Sequence, residues 1–326
     1  MKIKPDFHFS ILREEDFARR MPVITEQLTQ CRKDGFFEGF DKQPLYYEYF
    51  LAENSRGAVI IVHGLTEFTR KYYEMAWYLL NQGYDVFLYD QRCHGRSCRL
   101  TDRADMIHVD HFSDYRKDLH RFVCDVVQPM TDGPLYLYGF SMGGAVAAQY
   151  LAKYPAVFQK AVLCAPMIQP LTGNFPVRIA HIGLSACLLF GKGKKKSWTS
   201  GEYDPNYPFE RSSDKSRARF CWNMEHRHQN PCYCTTPQTI RWVQQSVGLH
   251  GKLTSRSFLK KIKTPILMLC AENDGLVCTK AQQKFAERCP VCQRIVLPGS
   301  THAILSGTQE TITACVQQVL QHFDKG

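Results

Sequence analysis

From residue 134 the chain reads Pro134-Leu135-Tyr136-Leu137-Tyr138-Gly139-Phe140-Ser141-Met142-Gly143-Gly144-Ala145, continuing through Ala147 and Ala148 to Ala152. The short apolar run Pro134 to Gly139 predicts a strand buried on both faces, and the alanine-rich Ala145 to Ala152 predicts a helix. The turn between them, Gly139-Phe140-Ser141-Met142-Gly143, has the form GxSxG. Five residues of that form recur by chance, so the specificity lies in the strand-turn-helix context. There a serine is held in strained backbone geometry with its hydroxyl raised above the sheet edge. Small residues flank it because side chains would collide with the neighbouring strand and helix. The helix N-terminus offers free N–H groups where negative charge will develop.

The same rhythm extends in both directions. Gly57 to Val62, Asp85 to Asp90 and Lys160 to Ala165 are further short apolar strands. Between them Tyr73, Ala76, Trp77 and Leu80 recur at helical spacing up to Gly83, and Phe112, Tyr115, Leu119, Phe122, Val123 and Val126 form a second stripe stopped by Pro129. The pattern resumes with a strand at Pro265 to Ala271, a helix from Thr279, a strand at Arg294 to Leu297 and a closing helix carrying Ile312, Cys315, Val316, Val319, Leu320 and Phe323. Alternation of this kind predicts an α/β fold, a mostly parallel sheet with helices on both faces. Gly35 to Leu51 reads as one or two strands with a turn at Asp41-Lys42-Gln43-Pro44, an antiparallel edge.

The interruption from Met167 to Thr254 is too long for a loop and lacks clear strands, so it reads as an inserted, largely helical cap. The expected organisation is a core of residues 1–166 and 255–326 with a cap of residues 167–254.

A serine hydroxyl needs a base, and the base needs an orienting carboxylate. With a nucleophile on such a turn the chain order is serine, acid, histidine. Asp274 follows the late strand directly in Ala271-Glu272-Asn273-Asp274, with Glu272 as the alternative, and His302 follows the last strand in Leu297-Pro298-Gly299-Ser300-Thr301-His302. The expected triad is Ser141, Asp274 and His302, all at the carboxyl ends of strands. The expected oxyanion hole is the Met142 amide plus the Leu65 amide from His63-Gly64-Leu65-Thr66-Glu67. His63 is expected to pack and hydrogen-bond within that loop.

With these residues placed, the sequence resembles the α/β-hydrolase superfamily of serine hydrolases, and within it the bacterial lysophospholipases and the monoacylglycerol lipases. The resemblance runs from about His63 to His322. It rests on His63-Gly64, the loop Asp90-Gln91-Arg92-Cys93-His94-Gly95-Arg96-Ser97, the serine turn, Asp274 and His302. Two further segments resemble the lysophospholipase branch, His108 to Tyr115 and the cap stretch from Ser216-Arg217 to Arg241-Trp242-Val243. That branch implies hydrolysis of the single acyl ester of a lysophospholipid through an acyl-enzyme, with no cofactor and no metal. Monoacylglycerol lipase, carboxylesterase, thioesterase and aminopeptidase are alternatives with the same triad. A non-enzymatic binder on this scaffold tends to lack a triad member, and all three residue types are present.

Composition bounds the rest. The 326 residues, 44% hydrophobic and 22% charged, suit a globular chain with a sizeable core. The formal charge of +10 suits an anionic partner, but no nucleic-acid motif accompanies it. Fourteen cysteines with no apolar leader read as free thiols in a cytoplasmic protein. Cys289-Pro290-Val291-Cys292 and Cys232-Tyr233-Cys234 lie too far apart for one zinc finger. Apolar Ile179 to Phe190 followed by Lys192, Lys194, Lys195 and Lys196 suits peripheral contact with an anionic membrane. It suits still better a lining of the acyl pocket or cap core beside a solvated lysine loop. The expected partner is a lysophospholipid or other monoacyl lipid.

Overall fold

The computed structural model describes residues 1–173 and 176–324; Asn174 and Phe175, within the stretch expected to be a cap, and the last two residues, lie outside that description. In chain order the elements are α1 (Glu14–Cys31), β1 (Lys33–Glu38), β2 (Pro44–Phe50), β3 (Ala58–Val62), α2 (Tyr73–Asn81), β4 (Asp85–Tyr89), α3 (Ser113–Phe122), β5 (Leu135–Phe140), α4 (Met142–Lys153), β6 (Lys160–Cys164), α5 (Val177–Leu189), α6 (Arg217–Gln229), α7 (Ile240–Leu253), α8 (Arg256–Leu259), β7 (Ile266–Asn273), α9 (Thr279–Arg288), β8 (Cys292–Thr301) and α10 (Gln309–Asp324).

The eight strands form one sheet in the order β1-β2-β4-β3-β5-β6-β7-β8. β2 pairs antiparallel with both β1 and β4, and every other pairing is parallel. The turn read at Asp41 to Pro44 therefore does make an antiparallel edge. β3 lies between β4 and β5, so the chain turns back from β3 to β4 and then crosses to β5 on the other side of β3. Open α/β sheets place their sites at this kind of order reversal, at the carboxyl ends of the strands.

The central strands β3, β4 and β5 are buried along their whole length because both faces are covered. In β3, Ala58, Ile60 and Val62 pack on the side of α3, α4 and α9, with Tyr115, Ala147 and Phe285. Val59 and Ile61 pack on the other side, with Phe17 of α1, Tyr73 of α2 and Val316 of α10. α1 is an element that the sequence reasoning left unassigned. It buries Phe17, Met21, Ile24, Leu28 and Cys31 as a single helical stripe.

The segment between β6 and β7 carries α5 to α8. α5 and α7 pack on each other through Leu184, Ile240 and Val247. α6 is tied to the core by Arg219, which reaches Glu74 of α2 at 2.6 Å and Glu14 of α1 at 3.4 Å. The fourteen cysteines all carry free thiols. No helix among the described residues is long and apolar enough to cross a membrane.

Candidate active site

β5 delivers Ser141 as the residue that caps α4, with φ +50° and ψ −113°. That is left-handed backbone on a residue with a side chain, a strained state maintained by its surroundings. The Ser141 amide donates to the Cys164 carbonyl at 3.0 Å and its carbonyl accepts from Met167 at 2.8 Å. The approach of α4 to the sheet explains Gly143: a Cβ there would lie 2.0 Å from the Val62 carbonyl oxygen. At Gly139 a Cβ would meet the Gly143 carbonyl oxygen at 2.8 Å.

His302 enters from the loop after β8 and Asp274 from the loop after β7. Asp274 has no exposed side-chain surface, and its carboxylate accepts from the Leu276 amide at 2.9 Å and the Val277 amide at 3.0 Å. Facing it at 2.8 Å is His302 Nδ1. A carboxylate only accepts, so Nδ1 carries the proton and Nε2 is left with a lone pair. Nε2 lies 2.9 Å from Ser141 Oγ, which donates to it. Three residues separated by as much as 161 positions are thus joined in one hydrogen-bonded chain. The alternative acid, Glu272, is not part of it; its carboxylate accepts the Gly299 amide at 2.7 Å and steadies the loop that carries His302.

The loop after β3 is held from below by Glu67. Its carboxylate accepts the Gly64 amide at 2.7 Å, Tyr72 OH at 2.5 Å and Lys71 Nζ at 2.5 Å. Burial pushes this carboxyl up, but Lys71 and Tyr72 outweigh it and hold it below its ordinary value. With the Gly64 amide taken, the next one, Leu65, is available. Among the described residues neither the Leu65 nor the Met142 amide donates a hydrogen bond. His63 packs within this loop as expected. The Gln91 amide donates to its Nε2 at 2.9 Å, so its Nδ1 carries the proton and donates to the Gly64 carbonyl at 2.7 Å. Burial drives the imidazole down to about 4, and it stays neutral.

The loop Asp90 to Ser97 buttresses the same region. Asp90 is fully buried and accepts the Thr69 and Arg96 amides, each at 2.8 Å. Burial raises it to about 7 despite those two donors. Arg92 makes a two-pronged bond to Asp118 of α3, at 2.6 and 2.8 Å, which clamps the loop to the core. Sequence reasoning quoted Glu67 and Asp90 without roles and did not single out Arg227 of α6, which reaches the Thr66 carbonyl. Among the described residues no group of three or more His, Cys, Asp or Glu side chains is assembled to hold a metal ion.

Comparison with known proteins fits this geometry. The family described as serine aminopeptidase, S33, matches residues 53–309. Lysophospholipase L2 of Escherichia coli K12 is 28% identical over 96% of this chain and 94% of its own length. Probable lysophospholipase L2 of Haemophilus influenzae is 28% identical over 88% of this chain and 93% of its own. Among solved structures, a soluble variant of the monoglyceride lipase of Saccharomyces cerevisiae superposes with a TM-score of 0.69 at 20% identity, over 90% of this chain and 94% of that one.

Proposed function

The chain belongs to the serine aminopeptidase, S33, family and is an ester hydrolase on the α/β-hydrolase fold, and from that premise we propose that it hydrolyses the acyl ester of lysophospholipids through Ser141, His302 and Asp274. His302 Nε2 takes the Ser141 proton as Oγ attacks the ester carbonyl. The Leu65 and Met142 amides receive the oxyanion, and Asp274 stabilises the imidazolium. His302 then protonates the leaving glycerol oxygen. Water, deprotonated by His302, releases the fatty acid from the acyl-enzyme and restores Ser141.

The observation that carries the catalytic part is the unbroken hydrogen-bonded chain from Ser141 Oγ to the Asp274 carboxylate, at 2.9 and 2.8 Å. Support for the substrate comes from two relatives named lysophospholipase L2 that match over most of their length. The monoglyceride lipase likeness supports a second reading, a monoacylglycerol substrate with unchanged chemistry. Residues 1–166 and 255–326 then act as the catalytic core and residues 167–254 as the cap that selects substrate. A lipid-resolved hydrolysis panel on the unmodified chain and Ser141→Ala tests both parts. Release of fatty acid from lysophospholipids, lost in the variant, is expected. Unreduced turnover by Ser141→Ala would refute the mechanism, and turnover of monoacylglycerols alone would refute the substrate.

The reading extends to a cytoplasmic chain working at an anionic membrane. On α5 and just beyond it, Ile182, Leu189 and Phe190 are 68%, 87% and 77% exposed. Lys196 is paired with Glu202 at 2.5 Å, whereas Lys194 and Lys195 have no ion-pair partner among the described residues. Apolar side chains beside free amines suit shallow insertion at anionic headgroups. Binding to vesicles containing phosphatidylglycerol is expected to weaken with salt and with Lys194/Lys195/Lys196→Glu; binding unaffected by both, or no binding at all, would refute contact through these lysines.

A further inference from the structure

Arg227 lies on the cap helix α6, directly against the loop that carries Leu65. Its Nη2–H donates to the carbonyl oxygen of Thr66, a residue held at φ +62°. A guanidinium has five N–H donors and a fixed charge, and this contact occupies one of them. Its other close neighbours are the rings of Phe68 and Tyr203, at 6.0 and 5.8 Å. Among the described residues no carboxylate lies within ion-pair distance of it. Glu67 is nearby but already bonded by Gly64, Lys71 and Tyr72.

A second uncompensated guanidinium lies close by. Arg99 has no carboxylate partner among the described residues, although all three of its nitrogens donate to carbonyls, those of Ala104, His94, Ser97, Cys98, Gly95 and Cys232. Both arginines bear on His94, which burial and its cationic neighbours keep well below its ordinary value, hence neutral. The surroundings of the Leu65 loop therefore carry two guanidinium groups with no carboxylate in ion-pair contact among the described residues, and of the two Arg227 keeps unused donors. Partly buried charges in folded proteins are normally paired, because leaving water without a partner is expensive. Burial indeed pulls the Arg227 guanidinium below its ordinary value, against the opposing influence of Tyr203, Glu67, Cys234 and Asp214. An arginine kept in this state is suited to receive its counter-ion from a ligand, and a planar fork of donors matches phosphate oxygens.

Building on the lysophospholipid reading above, we infer that Arg227 binds the phosphate of the substrate and sets the preference for lysophospholipids over uncharged monoacylglycerols. In such a substrate only the glycerol carbons separate the acyl carbonyl from the phosphate. Thr66 adjoins Leu65, so the guanidinium lies beside the loop whose amide would hold the carbonyl oxygen.

The test compares the full chain with Arg227→Gln and Arg227→Lys on palmitoyl lysophosphatidylglycerol and monopalmitoylglycerol in the same micelles. The two lipids share one ester and differ in the phosphoglycerol headgroup. In Arg227→Gln the ratio of kcat/KM for the phospholipid over the neutral lipid is expected to fall roughly 10- to 100-fold, the worth of a charged hydrogen bond. The change should appear mainly in KM, with partial recovery in Arg227→Lys. Glycerol phosphate should also inhibit monopalmitoylglycerol hydrolysis more weakly in Arg227→Gln than in the unmodified chain. Equal losses on both lipids, carried by kcat, would mean that Arg227 acts only by holding Thr66, and would overturn the inference while leaving the proposed function standing. An unmodified chain that cleaves only the neutral lipid and ignores glycerol phosphate would overturn both.

Discussion

Replacing Glu67 tests whether the loop after β3 works as an oxyanion hole without touching any group that meets substrate. The carboxylate holds three donors, the Gly64 amide at 2.7 Å and Tyr72 and Lys71 at 2.5 Å. Glu67→Ala removes all three bonds and leaves the buried Gly64 N–H and Tyr72 O–H without acceptors. Removing one partner of a buried charged cluster costs about 3–5 kcal/mol. Lys71 is 23% exposed and can turn to water, so the expected loss is near the lower bound, about 3 kcal/mol. The kinetic effect has its own ceiling: if the Leu65 amide is displaced altogether, kcat falls by about 100- to 1000-fold. Glu67→Gln retains one acceptor oxygen for Gly64 and Tyr72 and loses the ion pair with Lys71, so its loss in kcat is expected to be roughly tenfold, well short of that ceiling. In both variants KM should change little, because the oxyanion exists only after attack. Urea unfolding gives the stability change, and steady-state hydrolysis of a p-nitrophenyl ester gives kcat and KM separately. A Glu67→Ala chain that is destabilised as expected yet retains kcat would refute the assignment of this loop to transition-state stabilisation.

Other consequences follow from single contacts. His63 is buried and driven down to about 4 from an ordinary 6.5. Between those values the unfolded chain binds the extra proton, so the stability this group contributes is present above pH 6.5 and lost as pH falls through 4. Unfolding in urea should therefore reveal a loss between pH 7 and 5 that is about 2 kcal/mol larger in the unmodified chain than in His63→Asn; equal losses would contradict the buried neutral imidazole. Gly143→Ala would set a Cβ 2.0 Å from the Val62 carbonyl oxygen and should destabilise by roughly 3 kcal/mol or more. Gly275→Ala, with nothing within 4 Å of the new Cβ, should change the melting point little; matching melting points for the two would refute the packing argument. Asp118→Asn weakens the clamp on Arg92, which is 2% exposed, and should cost about 3 kcal/mol by urea titration; a change below experimental error would show that the Asp90 to Ser97 loop is held by other means.

Much of this architecture was legible in the chain because its signals are local. Strands buried on both faces show as short apolar runs, and the GxSxG turn singled out Ser141 as the candidate nucleophile because strand and helix flank it. The mostly parallel sheet and the antiparallel edge follow from those runs, whereas the expected order of serine, acid and histidine follows from the architecture that such a turn implies. Asp274 and Glu272 were harder to separate, since both follow β7 and both are acids. The difference is geometric: between Ala271 and Asn273 the register of β7 with β8 shifts, after which Asp274 meets His302 while Glu272 meets Gly299. α1 did carry a usable signal, with Phe17, Met21, Ile24, Leu28 and Cys31 spaced on one helix face. Pro22 within that run, and the charges of Arg13 to Asp16 before it, obscure the pattern. The parts played by Glu67 and Arg227 had no sequence signal of their own. One depends on an amide three residues back being buried beneath a carboxylate, the other on α6 meeting a loop 161 residues earlier.

The most direct measurement of the central claim is covalent capture of the nucleophile. The unmodified chain and Ser141→Ala are treated with a fluorophosphonate, and the adduct is located by peptide mass spectrometry while ester hydrolysis is followed in parallel. The account predicts one adduct per chain on Ser141, activity falling in step with labelling, and neither labelling nor hydrolysis in Ser141→Ala. An adduct on a different residue, or hydrolysis undiminished in the variant, would contradict it.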